Sequence, residues 1–285
     1  MTDPFSDTEE PFTIIIPANN EAAWITACLD ALLDQTPDAG TMLVIVSANA
    51  CRDDTVALAQ SRSDAFTARG SRLAVIDNEI PGKPAALNRA DALAPQGPRA
   101  YLDADVACAP TMIAALRHAL TPGEARFATG RLTVAPARST ITRRYGRLWK
   151  SLPFNAPGAA PGAGLFAVNA AGRARWHTFP DLISDDSFVR LHFTPDERIE
   201  VAEPYLWPLP EGFANLVRVR RRQDAGLAEL RQRKPELFRP EQETAAAPGL
   251  IFKLLLRQPL DLAVYMAVRI AAHLRPATGG FTRGR

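Results

Sequence analysis

Two carboxylates stand two positions apart at Asp103 and Asp105, directly after the apolar pair Tyr101 and Leu102. Residues two apart on a strand point to the same face, so the strand that ends here would direct both side chains together. Hard oxygen donors at this spacing suit a divalent cation, Mg²⁺ or Mn²⁺, that also binds substrate phosphates. A cation held there would neutralise a departing diphosphate. A solvated Asp-x-Asp turn is the alternative interpretation of so short a pattern.

The elements that must position this pair alternate between strands and helices. Short apolar runs rich in β-branched residues predict four strands, at 12–16, 42–46, 73–76 and 99–102. Helical patterns lie between them, beginning at 19–21, 53–55 and 84. This order predicts an α/β fold with a doubly wound, mostly parallel mixed sheet flanked by helices. Ligands of such sheets bind beyond the carboxyl ends of the strands, where Asn19, Asn49 and both aspartates fall.

Composition sets the wider limits. The 285 residues carry a net charge of only +2, so no nucleic-acid partner is expected. Three scattered cysteines and an acidic start without signal-peptide character favour a reduced, cytoplasmic setting. We expect a disordered lead-in at 1–11, a catalytic domain at 12–212, and a basic helical region at 213–285. That last region holds 14 Lys and Arg against 6 Asp and Glu.

Four motifs occur in a fixed order along the first half of the chain. They are Pro-Ala-Asn-Asn-Glu at 17–21, Asn-Ala-Cys-Arg-Asp-Asp-Thr at 49–55, Gly-Lys-Pro-Ala-Ala-Leu-Asn at 82–88, and the Asp103/Asp105 pair. Together, over about 12–193, they resemble the family 2 inverting glycosyltransferases. The resemblance implies a GT-A-type fold, a nucleotide-diphosphate-sugar donor with UDP as the expected nucleotide, and a divalent metal.

The resemblance also implies roles for the loop residues. Ala18 and Glu21 stand where the first loop touches the nucleoside. Asn49 stands where most members place an aspartate that hydrogen-bonds the base, and an amide offers a different donor and acceptor geometry. Asn49 as a turn residue or cap is the open alternative.

The same resemblance carries over to the phosphate side of the donor. Lys83 matches a lysine near the donor nucleotide, although a solvated helix start is its alternative. Asp103 would face the ribose, and Asp105, with Asp103, would hold the metal.

A general base is implied within the segment Leu-Ile-Ser-Asp-Asp-Ser-Phe at 182–188. By its place in the family, Asp186 is the base that takes the proton of the acceptor hydroxyl, and Asp185 is its partner. A neighbouring carboxylate would raise the pKa of the base. Helix capping by Ser184 or Asp185 is the alternative, and both roles can coexist. The loop at 158–164 would face the acceptor.

The basic run at 216–222 takes the place of the Gln-x-x-Arg-Trp segment of processive members, without its Gln or Trp. Arg218 and Arg221 would clamp the diphosphate, or lie on a solvated helix face. The missing Trp argues against a long-chain polymerase. The apolar stretch 250–274, with basic punctuation, would form a helix that lies on a membrane surface or packs on the catalytic domain.

The favoured hypothesis is therefore a metal-dependent inverting glycosyltransferase acting on a hydroxyl of a glycan or lipid-linked acceptor, at the cytoplasmic face of the membrane if the 250–274 helix binds lipid. A nucleotidyltransferase or a dinucleotide-binding oxidoreductase would need a Gly-rich loop after the first strand, and 17–21 contains no glycine. A catalytically inactive sugar-nucleotide binder that scaffolds a polysaccharide assembly is the alternative from another class. The sugar, the acceptor and the oligomeric state do not follow from the sequence.

Overall fold

The computed structural model describes residues 10–239 and 249–274. Most of the predicted lead-in and the last eleven residues, including Arg275, lie outside these ranges. Within the described residues eight strands form one sheet, in the order β3-β2-β1-β4-β7-β6-β8-β5. The strands are β1 (Phe12–Ala18), β2 (Met42–Asn49), β3 (Arg72–Asn78), β4 (Arg99–Leu102), β5 (Ala107–Cys108), β6 (Phe127–Val134), β7 (Leu165–Val168) and β8 (Arg198–Trp207).

Helices connect and cover these strands. They are α1 (Ile25–Leu33), α2 (Thr55–Gln60), α3 (Ser63–Ala68), α4 (Lys83–Asp91), α5 (Met112–Ala119), α6 (Thr140–Lys150), α7 (Ala170–Arg173), α8 (Asp185–Arg190), α9 (Phe213–Arg233), α10 (Leu250–Arg257) and α11 (Pro259–Leu274). Short 3-10 turns lie at Pro37–Ala39, Pro153–Asn155, Pro195–Glu197 and Pro235–Leu237.

The first four strands of the chain form the parallel half of the sheet. β1 pairs with β2 and β4, and β2 pairs with β3, all in parallel. Ile14 and Ile16 point to one face and Ile15 to the other, and all are fully buried. An uninterrupted apolar run suits a strand that is covered by helices on both faces. The parallel arrangement brings the loops after β1, β2 and β4 to one edge.

The second half of the sheet is mixed. β7 lies antiparallel between β4 and β6, and β8 runs parallel to β6 and antiparallel to β5. The predicted α/β class with a mixed sheet, flanking helices and C-terminal helices is confirmed. The strand β8 was not predicted, because Pro204 within it interrupts the sequence pattern that is typical of a strand. The register between β6 and β8 shifts at this proline: Thr129 pairs with Glu200, and Arg131, two positions on, pairs with Pro204, so the extra residues lie in β8.

Two sequence expectations about helices need correction. The first helix begins at Ile25, after a turn, and not at 19–21. The apolar stretch 250–274 is two helices and not one, because Pro259 opens α11 and forces the preceding Gln258 out of helical geometry, at φ −141° and ψ 54°. Within 10–239 and 249–274, no helix has the length and apolar character that a membrane crossing requires.

The C-terminal helices join the rest of the protein through α9. Leu230 of α9 is fully buried in the core beneath α4 and α8, while Leu216 and Val217 pack with α6 and α11. Gly226 of α9 lies so close to Ile183 that a Cβ atom there would come within 2.9 Å of it. The boundary expected after residue 212 falls at the Gly212 cap of α9, and α9 itself supports the segment that precedes Asp185.

Candidate active site

Asn49 joins three loops at the carboxyl edge of the parallel strands. Its side chain is 4% exposed. Nδ2 donates to the carbonyl of Ala18 at 2.9 Å, and Oδ1 accepts from the backbone N–H of Gly82 at 3.1 Å. Both polar ends of the amide are therefore engaged with the loops after β1 and before α4. In this state Asn49 positions the loops, and its amide is not presented to an open pocket.

The loops after β1 and β2 are held in unusual backbone conformations. Asn20 has φ 52° and Ala50 has φ 49°, which non-glycine residues adopt only when the surroundings determine it. The backbone N–H of Arg52 donates to Asn20 Oδ1 at 2.6 Å, and that of Glu21 donates to Thr55 Oγ1 at 2.7 Å. Hydrogen bonds thus join the loop after β1, which holds the predicted nucleoside contacts Ala18 and Glu21, to the loop after β2.

Lys83 connects two carboxylates across the cleft. Its Nζ lies 2.8 Å from Asp103 Oδ1 and 3.0 Å from Asp185 Oδ2. Burial alone would lower the pKa of Lys83, but the charges of Asp103 and Asp185 raise it above its usual range, so the ammonium stays protonated. Lys83, the first residue of α4, is therefore a fixed positive charge between Asp103, predicted to face the ribose, and Asp185, predicted to be the partner of the general base.

Asp185 and Asp186 open the short helix α8. Asp185 is 7% exposed, and burial raises its pKa to about 6, although the Lys83 ammonium opposes the rise. Asp186 is half-buried, and its Oδ1 accepts the backbone N–H of Ser187 at 2.6 Å. Ser184 occupies the N-cap position of this helix, as the alternative interpretation expected, but its side chain makes no capping hydrogen bond.

The Asp103/Asp105 pair lies in a turn and not on a strand. β4 ends at Leu102, the N–H of Asp103 donates to the carbonyl of Gly164 at 2.8 Å, and the N–H of Val106 donates to the carbonyl of Asp103 at 3.1 Å. The strand periodicity used to predict a common direction for the two side chains therefore does not apply.

The residues of this turn still fit a divalent cation by their chemistry. Two carboxylates offer hard oxygen donors, and Asp103 lines the cleft. No group of three or more His, Cys, Asp or Glu side chains in the described ranges could hold a metal unaided. A cation here would thus depend on oxygens from water and from a substrate diphosphate to complete its coordination, as Mg²⁺ sites commonly do.

A narrow cleft brings the central residues together. Its walls combine apolar residues of β4 and β7 with four charged side chains; the lining residues are Pro17, Lys83, Leu87, Tyr101, Leu102, Asp103, Gly164, Phe166, Asp185 and Asp186. Four predicted site residues thus converge on the cleft: Lys83, Asp103, Asp185 and Asp186. Asp105, two positions after Asp103, is not among the lining residues.

Arg218 and Arg221 are not among the cleft-lining residues. The guanidinium of Arg221 donates to the carbonyls of Ala271 and Ala272, at 2.7 and 3.3 Å, at the C-terminal end of α11. In this structure, Arg221 stabilises the packing of α11 on α9, because its cation lies where the helix dipole is negative.

The loop before β7 contributes features that the sequence analysis missed. Gly164 has φ 76°, and a Cβ atom there would come within 2.8 Å of the Trp207 indole. Arg190 of α8 donates to the carbonyls of Ala159 and Ala160, at 3.0 and 2.9 Å. This contact ties the loop to the helix that carries Asp186. The glycine content of the loop was a usable signal for close packing, but nothing in the local sequence marks Arg190.

The family model described as "Glycosyl transferase family 2" matches residues 13–172, more than half of the chain. A search of the curated proteins returned no match.

Among solved structures, the mannosyltransferase PcManGT from Pyrobaculum calidifontis, in complex with GDP-Man and Mn²⁺, is 20% identical with a TM-score of 0.58; the match covers 97% of this chain and 78% of that one. S. aureus TarS 1-349 in complex with UDP is 15% identical with a TM-score of 0.54, covering 91% and 81%. Glucosyl-3-phosphoglycerate synthase from Mycobacterium tuberculosis, with Mn²⁺, UDP and glucosyl-3-phosphoglycerate, is 20% identical with a TM-score of 0.51, covering 78% and 79%.

A longer S. aureus TarS structure is matched over 38% of its own length and 74% of this chain, at a TM-score of 0.51. At such identities these likenesses establish the fold, which is that of GT-A glycosyltransferases.

Proposed function

Since the chain belongs to glycosyl transferase family 2, we propose that it is an inverting, metal-dependent hexosyltransferase. It would move a sugar from a nucleotide-diphosphate donor, UDP in our proposal, to a hydroxyl of a glycan or lipid-linked acceptor in the cytoplasm. The observation that carries the proposal is the Lys83 bridge, in which one ammonium contacts both Asp103 on the donor side and Asp185 beside the proposed general base.

The donor side of the proposed site consists of the cross-linked loops, Lys83 and the Asp103–Asp105 turn. The nucleoside would lie on the loops that Asn49 clamps, with Asp103 toward the ribose. Lys83 would attract the diphosphate as a point charge. Asp105 and Asp103 would hold Mg²⁺ or Mn²⁺, which supplies electrostatic stabilisation to the leaving diphosphate when bound. The structures of glycosyltransferases that hold Mn²⁺ with a nucleotide or nucleotide sugar support this choice.

The acceptor side is α8 together with the loop that Arg190 fixes to it. Asp186 would accept the proton of the acceptor hydroxyl while the hydroxyl oxygen forms a bond to the anomeric carbon. The bond from that carbon to the diphosphate oxygen breaks on the opposite side, which inverts the configuration. Asp185 would keep Asp186 and Lys83 in place, because its buried carboxylate lies against the ammonium and next to the base.

Because Arg221 is hydrogen-bonded to α11, we assign binding of the diphosphate to Lys83 and the metal instead. A rearrangement that freed Arg218 and Arg221 for the diphosphate would have to break the two hydrogen bonds that Arg221 makes to α11. The same geometry supports treating 12–212 together with α9 as the catalytic unit, since Leu230 packs in its core.

Paired variants at the base test the proposal. Asp186→Asn should retain donor affinity but lose transfer by about 100-fold or more, as expected for loss of a general base. Asp185→Asn should be milder. UDP-sugar binding by calorimetry and transfer or donor hydrolysis by UDP release would be measured for both. A more damaging Asp185→Asn would move the base by one residue, and unchanged turnover in both would exclude this segment as its source.

The metal assignment has its own test. Asp105→Asn preserves the shape of the side chain but removes the charge that a hard cation needs. We expect it to abolish the stimulation of UDP binding by Mn²⁺ while the thermal unfolding of the free protein changes little. Donor binding without any hydrolysis or transfer in the unmodified protein would favour the inactive sugar-nucleotide binder instead.

A further inference from the structure

The helix α10 carries a cluster of exposed large apolar side chains. Ile251, Phe252, Leu255 and Leu256, followed by Leu260 at the start of α11, are each between 52% and 73% exposed. Scattered apolar residues are normal on a protein surface, but a concentration of them on one short helix and the start of the next indicates a contact site. We call these five residues the α10 apolar surface.

The α10 apolar surface faces away from the body of the protein. At 100° per residue, the four α10 members fall within an arc of about 140°. Leu254, on the other side of the helix, is the buried contact of α10 with the protein. The exposure of this surface is therefore a consequence of how α10 is seated.

The helix α11 packs inward and fixes the position of α10. Val268 and Ala272 are buried against α6 and α9. Asp261 accepts hydrogen bonds from Arg147 at 2.8 and 2.9 Å and from Arg144 at 3.1 Å. The two alternatives for the stretch 250–274 thus apply to different helices: α11 packs on the protein, and α10 is left outside.

The charge of α10 indicates its partner. Lys253 and Arg257 are exposed, and the helix has no acidic residue. On the same wheel Lys253 lies about 60° beyond the Leu256 edge of the apolar arc, and Arg257 lies about 100° beyond it on the polar side of the helix. Long basic side chains in such positions reach toward lipid headgroups while apolar neighbours enter the acyl boundary. Eight residues span about 12 Å, far less than a bilayer.

We propose that the α10 apolar surface, together with the exposed Lys253 and Arg257 of the same helix, binds the surface of a bilayer that contains anionic lipid. The helix lies in the plane of the interface, and α11 holds the catalytic body at a fixed orientation to it. This binding is independent of the catalytic proposal, because none of these residues lines the cleft.

Co-sedimentation of the full chain with vesicles tests the proposal. The vesicles would be phosphatidylcholine alone, or phosphatidylcholine with phosphatidylglycerol, at low and high salt. We expect binding to the anionic vesicles that weakens with salt. Lys253→Gln with Arg257→Gln should lower the partition coefficient roughly 30-fold, from the attraction of two basic residues near an anionic surface. Phe252→Ser with Leu256→Ser should lower it about 100-fold or more.

A matched control is available on another element. Leu93 is 61% exposed but lies after α4, so Leu93→Ser should bind vesicles as the unmodified chain does. Circular dichroism and urea unfolding of each variant check that the fold is retained. The proposal is overturned if the full chain stays in the supernatant with anionic vesicles at low salt. It is also overturned if Leu93→Ser loses as much binding as the α10 variants, or if light scattering shows a dimer that only the α10 variants dissociate.

Discussion

Replacing Lys83 by methionine should destabilise the protein in a manner that depends strongly on pH. The substitution keeps a long apolar side chain and removes the charge that lies 3.0 Å from the buried carboxylate of Asp185. At that distance, and with an effective dielectric constant near 20, the attraction lost is about 5 kcal/mol. Lys83 is 29% exposed, and its removal also ends the cost of its own burial. A net loss of roughly 2–3 kcal/mol is therefore expected where Asp185 is ionised.

The sign of the pH dependence follows from Asp185. Its pKa in the folded protein, about 6, lies above that of an unfolded chain, so the neutral form is favoured by folding and stability is lost as the pH rises through 6. Without Lys83 the pKa rises further, and the loss extends to higher pH, at up to about 1.4 kcal/mol per pH unit. At pH 5 the carboxyl is mostly neutral in both proteins. The difference in unfolding free energy should therefore be smaller at pH 5, where the contact with Asp103 is the main one lost, and largest at pH 8.

Urea unfolding followed by tryptophan fluorescence at pH 5, 6.5 and 8 measures this difference. Combining Lys83→Met with Asp185→Asn should recover most of the loss at pH 8, because the amide carries no charge. Arg62→Met, which breaks the more exposed pair with Asp30 at 2.7 Å, is the control and should cost less than about 1 kcal/mol. A loss for Lys83→Met that is the same at pH 5 and pH 8 would refute the reasoning.

Three further outcomes are expected. Gly164→Ala should lower the unfolding free energy by about 2–4 kcal/mol and impair transfer, because the new methyl group meets the Trp207 indole. The control Gly158→Ala, at φ 81° with nothing within 4 Å, should cost only about 1–2 kcal/mol. Urea unfolding and turnover of the two variants measure the difference. Asn49→Asp should lower the unfolding free energy by about 1–3 kcal/mol and weaken UDP binding in calorimetry, since a carboxylate oxygen would face the Ala18 carbonyl. Tighter UDP binding by this variant would contradict the role of Asn49 in holding the loops of Ala18 and Gly82 together. Asp261→Ala should cost about 1–2 kcal/mol at neutral pH, and because arginine contacts lower the pKa of Asp261, its difference from the unmodified protein in urea unfolding should shrink as the pH falls below about 4.

The parallel half of the sheet could be predicted because local sequence determines it. Runs such as that around Ile15 are apolar without interruption, as strands buried on both faces must be. β8 and α6 were missed for the opposite reason. The strand contains Pro204 and a break in register, and the helix contains Gly146 and several arginines, so contacts with distant elements decide both.

In the candidate site too, local sequence predicts some features, and contacts between distant residues determine the others. The convergence of Lys83, Asp103 and the α8 carboxylates could be anticipated from motif order and from the rule that loops meet at one sheet edge. The engagement of Asn49 with Ala18 and Gly82 depends on loops 31 and 33 residues away in the sequence. The contact of Arg221 with α11 spans 50 residues or more, and no local pattern encodes such a pairing.

The attachment of α11 has a consequence for how the chain could be divided. Helix α11 is held to α6 and α9 by the Asp261 ion pairs, by Arg221 at its last carbonyls, and by the stacking of Tyr145 on Tyr265 at 5.2 Å. These contacts do not require a continuous backbone between Arg239 and Gly249. A chain cut in that interval would hold together as a nicked complex, and the two pieces would be natural halves for a split protein that reassembles without a linker.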